Sequence, residues 1–197
     1  MAALIHLNGT PGIGKSTIAR RYVDDHPGVL NCDVDVLRSL IGGWERDFAA
    51  AGALIRPAAL AMISAYLHAG HDVVFPQMLT DPAEVTRFEN TARGAGAEFL
   101  ERWLTDDPGA AVERFYRRGQ DAPHDPWHAH VQRVVDADGG RAALSRHRDD
   151  LDRLLGQRPR AVVVASREGD PDSTYRDLLA TLPKHKARRP IARPGPG

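Results

Sequence analysis

Gly9-Thr10-Pro11-Gly12-Ile13-Gly14-Lys15-Ser16 spells a phosphate-binding loop of the form G-x-x-x-x-G-K-[ST], and Thr17 extends it. Its flanks are what such a loop requires. Ahead of it, Ala2-Ala3-Leu4-Ile5-His6-Leu7 is an apolar run of strand length. Behind it, Thr17-Ile18-Ala19-Arg20-Arg21-Tyr22-Val23 carries apolar residues at helical spacing. The glycines let the backbone turn its N–H groups toward an anion, and the helix N-terminus adds partial positive charge. Lys15 then reaches the β- and γ-phosphates, while the Ser16 hydroxyl completes a magnesium shell that stays largely aqueous. Residues 9–17 are therefore expected to bind a nucleoside triphosphate.

The 197 residues suffice for one well-buried core. Lys and Arg total 26 and Asp and Glu total 26, for a formal net charge of zero. A protein that tracks a long phosphate backbone carries a basic excess, so extended nucleic acid is not the expected partner. Cys32 is the single cysteine, which excludes an internal disulfide framework and fits a reducing cytosol. No apolar run near ~18 residues and no signal-like segment stand out, so a cytoplasmic protein without a membrane is expected. Monomer and homodimer stay open.

Strand-length apolar runs alternate with longer helical patterns, as in a parallel α/β sheet. A second strand is expected over 28–32, then helical spacing over 34–41, stopped by Gly42-Gly43. The stretch 44–56 is ambiguous, and Pro57 opens a helix closed by Gly70. The third strand, 72–75, is broken at once by Pro76. Asp81 is the expected N-cap of a helix with Pro82 first and Glu84 three residues after the cap. A fourth strand follows over 98–104, a helix from Asp107-Pro108 to near Gly119, and a loop over 120–130. A helix over 141–155, a fifth strand over 160–166 and a last helix over 173–182 complete the pattern. One α/β domain over 1–182 is expected, a five-stranded parallel sheet flanked by helices, with a helical lid at about 114–135. Residues 183–197, rich in Lys, Arg, Pro and Gly, read as a disordered tail.

Asn31-Cys32-Asp33-Val34-Asp35-Val36-Leu37-Arg38 delivers two carboxylates and a guanidinium to the carboxyl edge of the sheet, where ligands of open α/β sheets lie. Asp35 and Arg38, three apart, share a helical face. A carboxylate there can take the proton of a substrate hydroxyl, and the arginine can hold the substrate or the transferring phosphoryl. Aspartate also caps helices. Asp33 is assigned as cap or outer magnesium partner, and Asp35 as base.

The stretch 9–38 resembles the kinase domain of the bacteriophage-type polynucleotide 5′-kinases. It shares their P-G-x-G-K-S-T loop from Pro11 to Thr17, their Pro27-Gly28 ahead of the second strand and their D-x-x-R after it. It is similar, too, to chloramphenicol phosphotransferase, whose V-D-x-L segment stands here as Val34-Asp35-Val36-Leu37. The resemblance implies a P-loop NTPase kinase fold and transfer of the γ-phosphate of ATP to an alcohol. It implies Lys15 and Ser16 at ATP and Mg2+, Asp35 as general base, and Arg38 on substrate or phosphate. Kinases of this kind bring arginines over the phosphates from a lid, and Glu113-Arg114-Phe115-Tyr116-Arg117-Arg118-Gly119 fits by order. A basic pair followed by glycine points to Arg118 as catalytic, with Arg114 or Arg117 beside it. Such an arginine neutralises charge on the equatorial oxygens of the transferring phosphoryl. Arg167 and its neighbours, after the fifth strand, are the positional candidates for nucleobase contacts.

After the third strand, where related kinases often place an acid, this chain has Phe75-Pro76-Gln77-Met78. Gln77 reads as a substrate or water contact. Substrate choice falls to 42–78, where Trp44, Phe48, Met62, Tyr66 and Met78 are candidates for an apolar pocket. Arg46 and Arg56 are candidates for contact with an acidic group. His124, His128 and His130 stand beside Asp121 and Asp125. Without cysteine or H-E-x-x-H spacing they read as a hydrated lid loop rather than zinc ligands. Trp127 either stacks on a base or an aromatic substrate, or anchors the lid. Small size and balanced charge favour a small-molecule alcohol as acceptor, with a nucleoside antibiotic or chloramphenicol-like compound foremost. A polynucleotide 5′-hydroxyl kinase and a P-loop ATP-binding regulatory or toxin-like protein are the alternatives.

Overall fold

The computed structural model describes residues 1–107, 109–121 and 126–183. Pro108, His124, Asp125 and the expected tail from 184 onward lie outside the described residues. In chain order the elements are β1 (Ala3–Asn8), α1 (Lys15–Asp25), β2 (Leu30–Asn31), α2 (Val34–Arg38), α3 (Phe48–His68), β3 (Val73–Pro76) and α4 (Pro82–Gly94). They continue as β4 (Glu98–Thr105), α5 (Ala110–Asp121), α6 (Pro126–Ala137), α7 (Arg141–Leu155), β5 (Val162–Ala165) and α8 (Pro171–Thr181). The five strands form one parallel sheet in the order β2-β3-β1-β4-β5.

β1 is central, with every residue buried, because helices cover both faces of the sheet. On one face Leu4, Phe75 and Trp103 pack against Ile63 and Leu67 of α3, Phe88 of α4 and Leu151 of α7. On the other, Ile5, Leu7, Val74 and Leu104 pack under Ile18 and Tyr22 of α1 and Tyr175 and Leu178 of α8. A smaller cluster of Phe115, Val135 and Leu144 joins α5, α6 and α7.

Two elements differ from expectation. α3 runs unbroken through Pro57 from Phe48, where Asp47 caps it by accepting from the Ala50 N–H at 2.9 Å. Proline removes one ladder bond, and burial of Ala51, Ala59, Ile63 and Leu67 along one continuous helix outweighs that loss. By length and composition alone α3 also qualifies as a membrane span, although the sequence pattern offers no uninterrupted apolar run there. The expected loop over 120–130 is helical from Pro126 onward. Trp127, Val131 and Val135 recur at helical spacing, and the polar residues between them hide it.

Candidate active site

Polar residues of β1 set the position of the loops at its carboxyl end. Asn8 Oδ1 accepts from the N–H groups of Gly9 at 2.9 Å and Leu79 at 3.1 Å, and its Nδ2 donates to the Leu79 carbonyl at 3.0 Å. The phosphate loop and the segment after β3 are thereby tied to one buried amide. Sequence reasoning passed over Asn8; a polar residue closing an otherwise apolar buried strand is the signal. His6, fully buried one turn of the pleat earlier, contacts the Gln77 carbonyl through Nε2 at 2.9 Å.

The loop itself depends on close backbone approach. Gly12 has φ of +82°, and a Cβ there would sit 2.9 Å from the Ala111 carbonyl oxygen and 3.0 Å from the Phe115 nitrogen. The glycine lets α5 rest directly on the loop. The Lys15 ammonium folds back onto the carbonyls of Gly9 at 2.7 Å and Thr10 at 2.9 Å. Burial lowers its pKa to about 8, against the opposing pull of Asp35 and Asp33. The side chain of Ile13 is buried in the core, and its carbonyl accepts from Ser166 Oγ at 2.7 Å.

Asp33 caps α2, as expected, and also reaches the phosphate loop. Its Oδ1 caps α2 by accepting from the Asp35 N–H at 3.0 Å, and its Oδ2 accepts from Ser16 Oγ at 2.9 Å. A hydroxyl and a carboxylate joined in this way at the start of α1 form an oxygen-only pair suited to magnesium with a water-rich shell. Asp35 faces the same space. Desolvation raises its carboxyl above the ordinary carboxylate range, while Arg38 and Lys15 pull the other way.

Lys15, Ser16 and Asp35 line a cavity of about 420 Å³. Pro11, Gly12, Gly14, Lys15, Ser16 and Thr17 form its floor, with Asp35 and Pro76 to one side. Arg114, Phe115, Arg117 and Arg118 of α5, Trp127, His128 and Val131 of α6, and Glu168 enclose the rest. Arg114 is ion-paired to Asp106 and also reaches Ser166 Oγ at 3.4 Å. Arg117 pairs with Glu168 at 2.9 Å. A larger cavity, of about 570 Å³, opens at the start of β4 around the Glu89–Arg158–Glu101 ion pairs and shares no residue with this one.

Other expected site residues lie elsewhere. Arg38 is buried behind Asp35, 3.5 Å from its carboxylate, with its guanidinium 3.9 Å from the centre of the Phe48 ring. Gly52 leaves room for it, since a Cβ there would meet Nη2 at 2.9 Å. Arg38 thus orients Asp35 and lies off the cavity wall. Arg56 pairs with Glu84 at 3.4 Å, Arg167 with Asp177 of α8 at 2.6 Å, and Met78 packs on the core. The residue after β5 that reaches the cavity is Glu168. Trp44 stands one layer back, its ring 4.9 Å from that of Trp127. His128 Nε2 contacts the Phe115 carbonyl at 3.0 Å, and His130 packs edge-on to Trp44. Among the described residues no three His, Cys, Asp or Glu gather as a metal cluster.

A parallel sheet in this strand order, a glycine-rich loop between β1 and α1, an acid after β2 and arginines on α5 facing the loop define a P-loop nucleotide-binding fold. The chain belongs to the AAA domain family, which matches over residues 4–137. No curated protein matches it in sequence. Among solved structures it is similar to a gluconokinase from Sinorhizobium meliloti 1021, with 18% identity and a TM-score of 0.59 over 90% of each chain. The tunicamycin resistance protein of Deinococcus radiodurans matches with 18% identity and a TM-score of 0.56 over 91% of this chain and 95% of that one. The Pnkp1/Rnl/Hen1 RNA repair complex matches with 18% identity and a TM-score of 0.59 over 79% of this chain and 46% of that one. At such identities the likeness is one of fold.

Proposed function

We propose that the protein is a cytoplasmic ATP- and Mg2+-dependent O-phosphotransferase that moves the γ-phosphoryl group to a hydroxyl of a small molecule. A nucleoside antibiotic or chloramphenicol-like compound is the foremost acceptor. One observation carries the reading: Asp35, Lys15 and Ser16 line a single cavity, and Ser16 is hydrogen-bonded to Asp33. Lys15 exchanges the Gly9 and Thr10 carbonyls for the β- and γ-phosphates, a swap that removes the cost of its burial. Asp35 accepts the proton of the acceptor hydroxyl, and its raised pKa makes it a stronger base than a solvated carboxylate. Arg118 and Arg114 face the developing charge on the phosphoryl oxygens. Ser16 and Asp33 would hold the magnesium, which when bound offsets phosphate charge.

A gluconokinase and a tunicamycin resistance protein among the structural neighbours support a small-molecule acceptor. The RNA repair complex supports a polynucleotide 5′-end as the second reading. The test is incubation with labelled ATP and a panel of hydroxylated antibiotics, nucleosides, polyols and 5′-hydroxyl oligonucleotides. Label on a small alcohol is the expected result. Label confined to the oligonucleotide establishes the second reading, and ATP binding without transfer to any acceptor overturns both.

A further inference from the structure

Four rings meet beside the cavity, brought from two segments of the chain, 44–48 and 127–130. Trp127 of α6 lies 4.9 Å from Trp44 and 5.8 Å from Phe48. His130, one turn along α6, lies 4.9 Å from Trp44 and 5.5 Å from Phe48. Of the four, only Trp127 lines the cavity; the other three back it. Phe115, Val131 and Pro76 are the other apolar side chains of α5, α6 and the end of β3 that line this cavity, and Asp35 lines the same space.

A half-buried indole held by rings behind it is already oriented, so a ligand that stacks on it loses little ordering free energy at that contact. Flat rings gain most from such a surface. A polyol of similar size needs several directed donors and acceptors instead. Among the polar side chains on this cavity wall, Lys15, Ser16, Asp35, Arg114 and Arg118 serve phosphate, metal and proton in that reading, Arg117 and Glu168 pair with each other, and His128 Nε2 is engaged by the Phe115 carbonyl. We infer that Trp127 is the platform for the acceptor, and that the acceptor hydroxyl is carried by an aromatic or heteroaromatic ring compound rather than by a polyol or sugar acid. The inference rests on the phosphotransferase reading and names its substrate class. Trp127 anchors the lid through Trp44 and recognises the acceptor with its other surface, so the two roles open at the sequence level are one.

The experiment compares wild type, Trp127→Leu and Trp127→Phe on ring-bearing alcohols (a benzylic alcohol and a nucleoside) and on gluconate as polyol. Leucine keeps apolar bulk in the lid, and phenylalanine restores a ring. Expected for Trp127→Leu is a KM for ring alcohols raised about ten-fold or more, with a much smaller change in kcat and recovery in Trp127→Phe. Calorimetric binding of the same alcohols beside a non-hydrolysable ATP analogue should show the same order. Gluconate turned over as well as the ring alcohols, with no response to either variant, overturns the inference and leaves the kinase standing. Ring-selective, Trp127-dependent binding with no transfer upholds the platform and overturns the phosphotransferase reading. A Trp127 response confined to a 5′-hydroxyl oligonucleotide assayed in parallel upholds the platform and overturns the small-molecule reading.

Discussion

Ser16 Oγ donates to Asp33 Oδ2 at 2.9 Å while the second oxygen of Asp33 caps α2, so one carboxylate joins the phosphate loop to the helix that carries Asp35. The two functions separate by substitution. Asp33→Asn keeps an oxygen for the cap and removes the charge, so its melting temperature should stay near wild type while the Mg2+ needed for half-maximal transfer rises roughly ten-fold. Asp33→Ala should lose the cap as well, at a cost of about 1 kcal/mol. A magnesium titration of phosphate transfer, set beside thermal melts, reads both. An unchanged magnesium requirement in Asp33→Asn would remove Asp33 from the metal.

Asp35→Asn tests the base. The asparagine is nearly isosteric and retains a polar contact for Arg38, yet it cannot accept the hydroxyl proton. Transfer should fall by about 10²–10⁴-fold, and ATP affinity measured by calorimetry should change by no more than a few-fold. Retained transfer would assign the proton to another acceptor.

The glycines of the loop give a graded prediction. Gly12 and Gly14 both have positive φ, but a Cβ at Gly12 collides with the Ala111 and Phe115 backbone whereas one at Gly14 meets nothing within 4 Å. Gly14→Ala should therefore cost only conformational strain, about 1–2 kcal/mol. Gly12→Ala adds displacement of α5, and should lower stability further and weaken ATP binding through the moved arginines. Denaturant midpoints and ATP titrations of the two variants give the comparison; equal effects would show that α5 does not need the bare backbone of Gly12.

The phosphate-loop side of the cavity is legible in the sequence because it is local. Residues 9–17 and 33–38 each form one loop-to-helix unit, so spacing alone places Lys15, Ser16, Asp33 and Asp35. The aromatic side comes from distant segments. Trp44 and Trp127 are 83 positions apart in numbering and meet only when α6 folds over α3, and no spacing rule joins them. Arg38 shares a face with Asp35 as expected, but packing on Phe48 and Gly52 decides that it stays behind the carboxylate. At the end of β5, Arg167 turns to Asp177 while its neighbour Glu168 lines the cavity, because the direction of a side chain at a strand end depends on the turn that follows. Asn8 was hidden by its surroundings: in an apolar strand a polar residue is easily passed over, and here it holds two loops.

His6 supplies a pH dependence that belongs to folding rather than to chemistry. The Gln77 carbonyl accepts from Nε2, which fixes the neutral tautomer, and Nδ1 has no partner among the described residues. Burial dominates the other influences and lowers the pKa to about 4 from an ordinary value of 6.5. Below pH 6.5 the unfolded chain takes up a proton that the folded chain refuses, so stability falls as pH drops from 6.5 toward 4. The full effect is about 3 kcal/mol. His6→Gln can still donate to the Gln77 carbonyl and does not titrate in that window. Urea denaturation at pH 7 and pH 4.5 should therefore show a larger loss in wild type than in His6→Gln, by most of that amount. Equal losses would mean that His6 takes up its proton in the folded state, and that the contact between β1 and Gln77 opens to admit it.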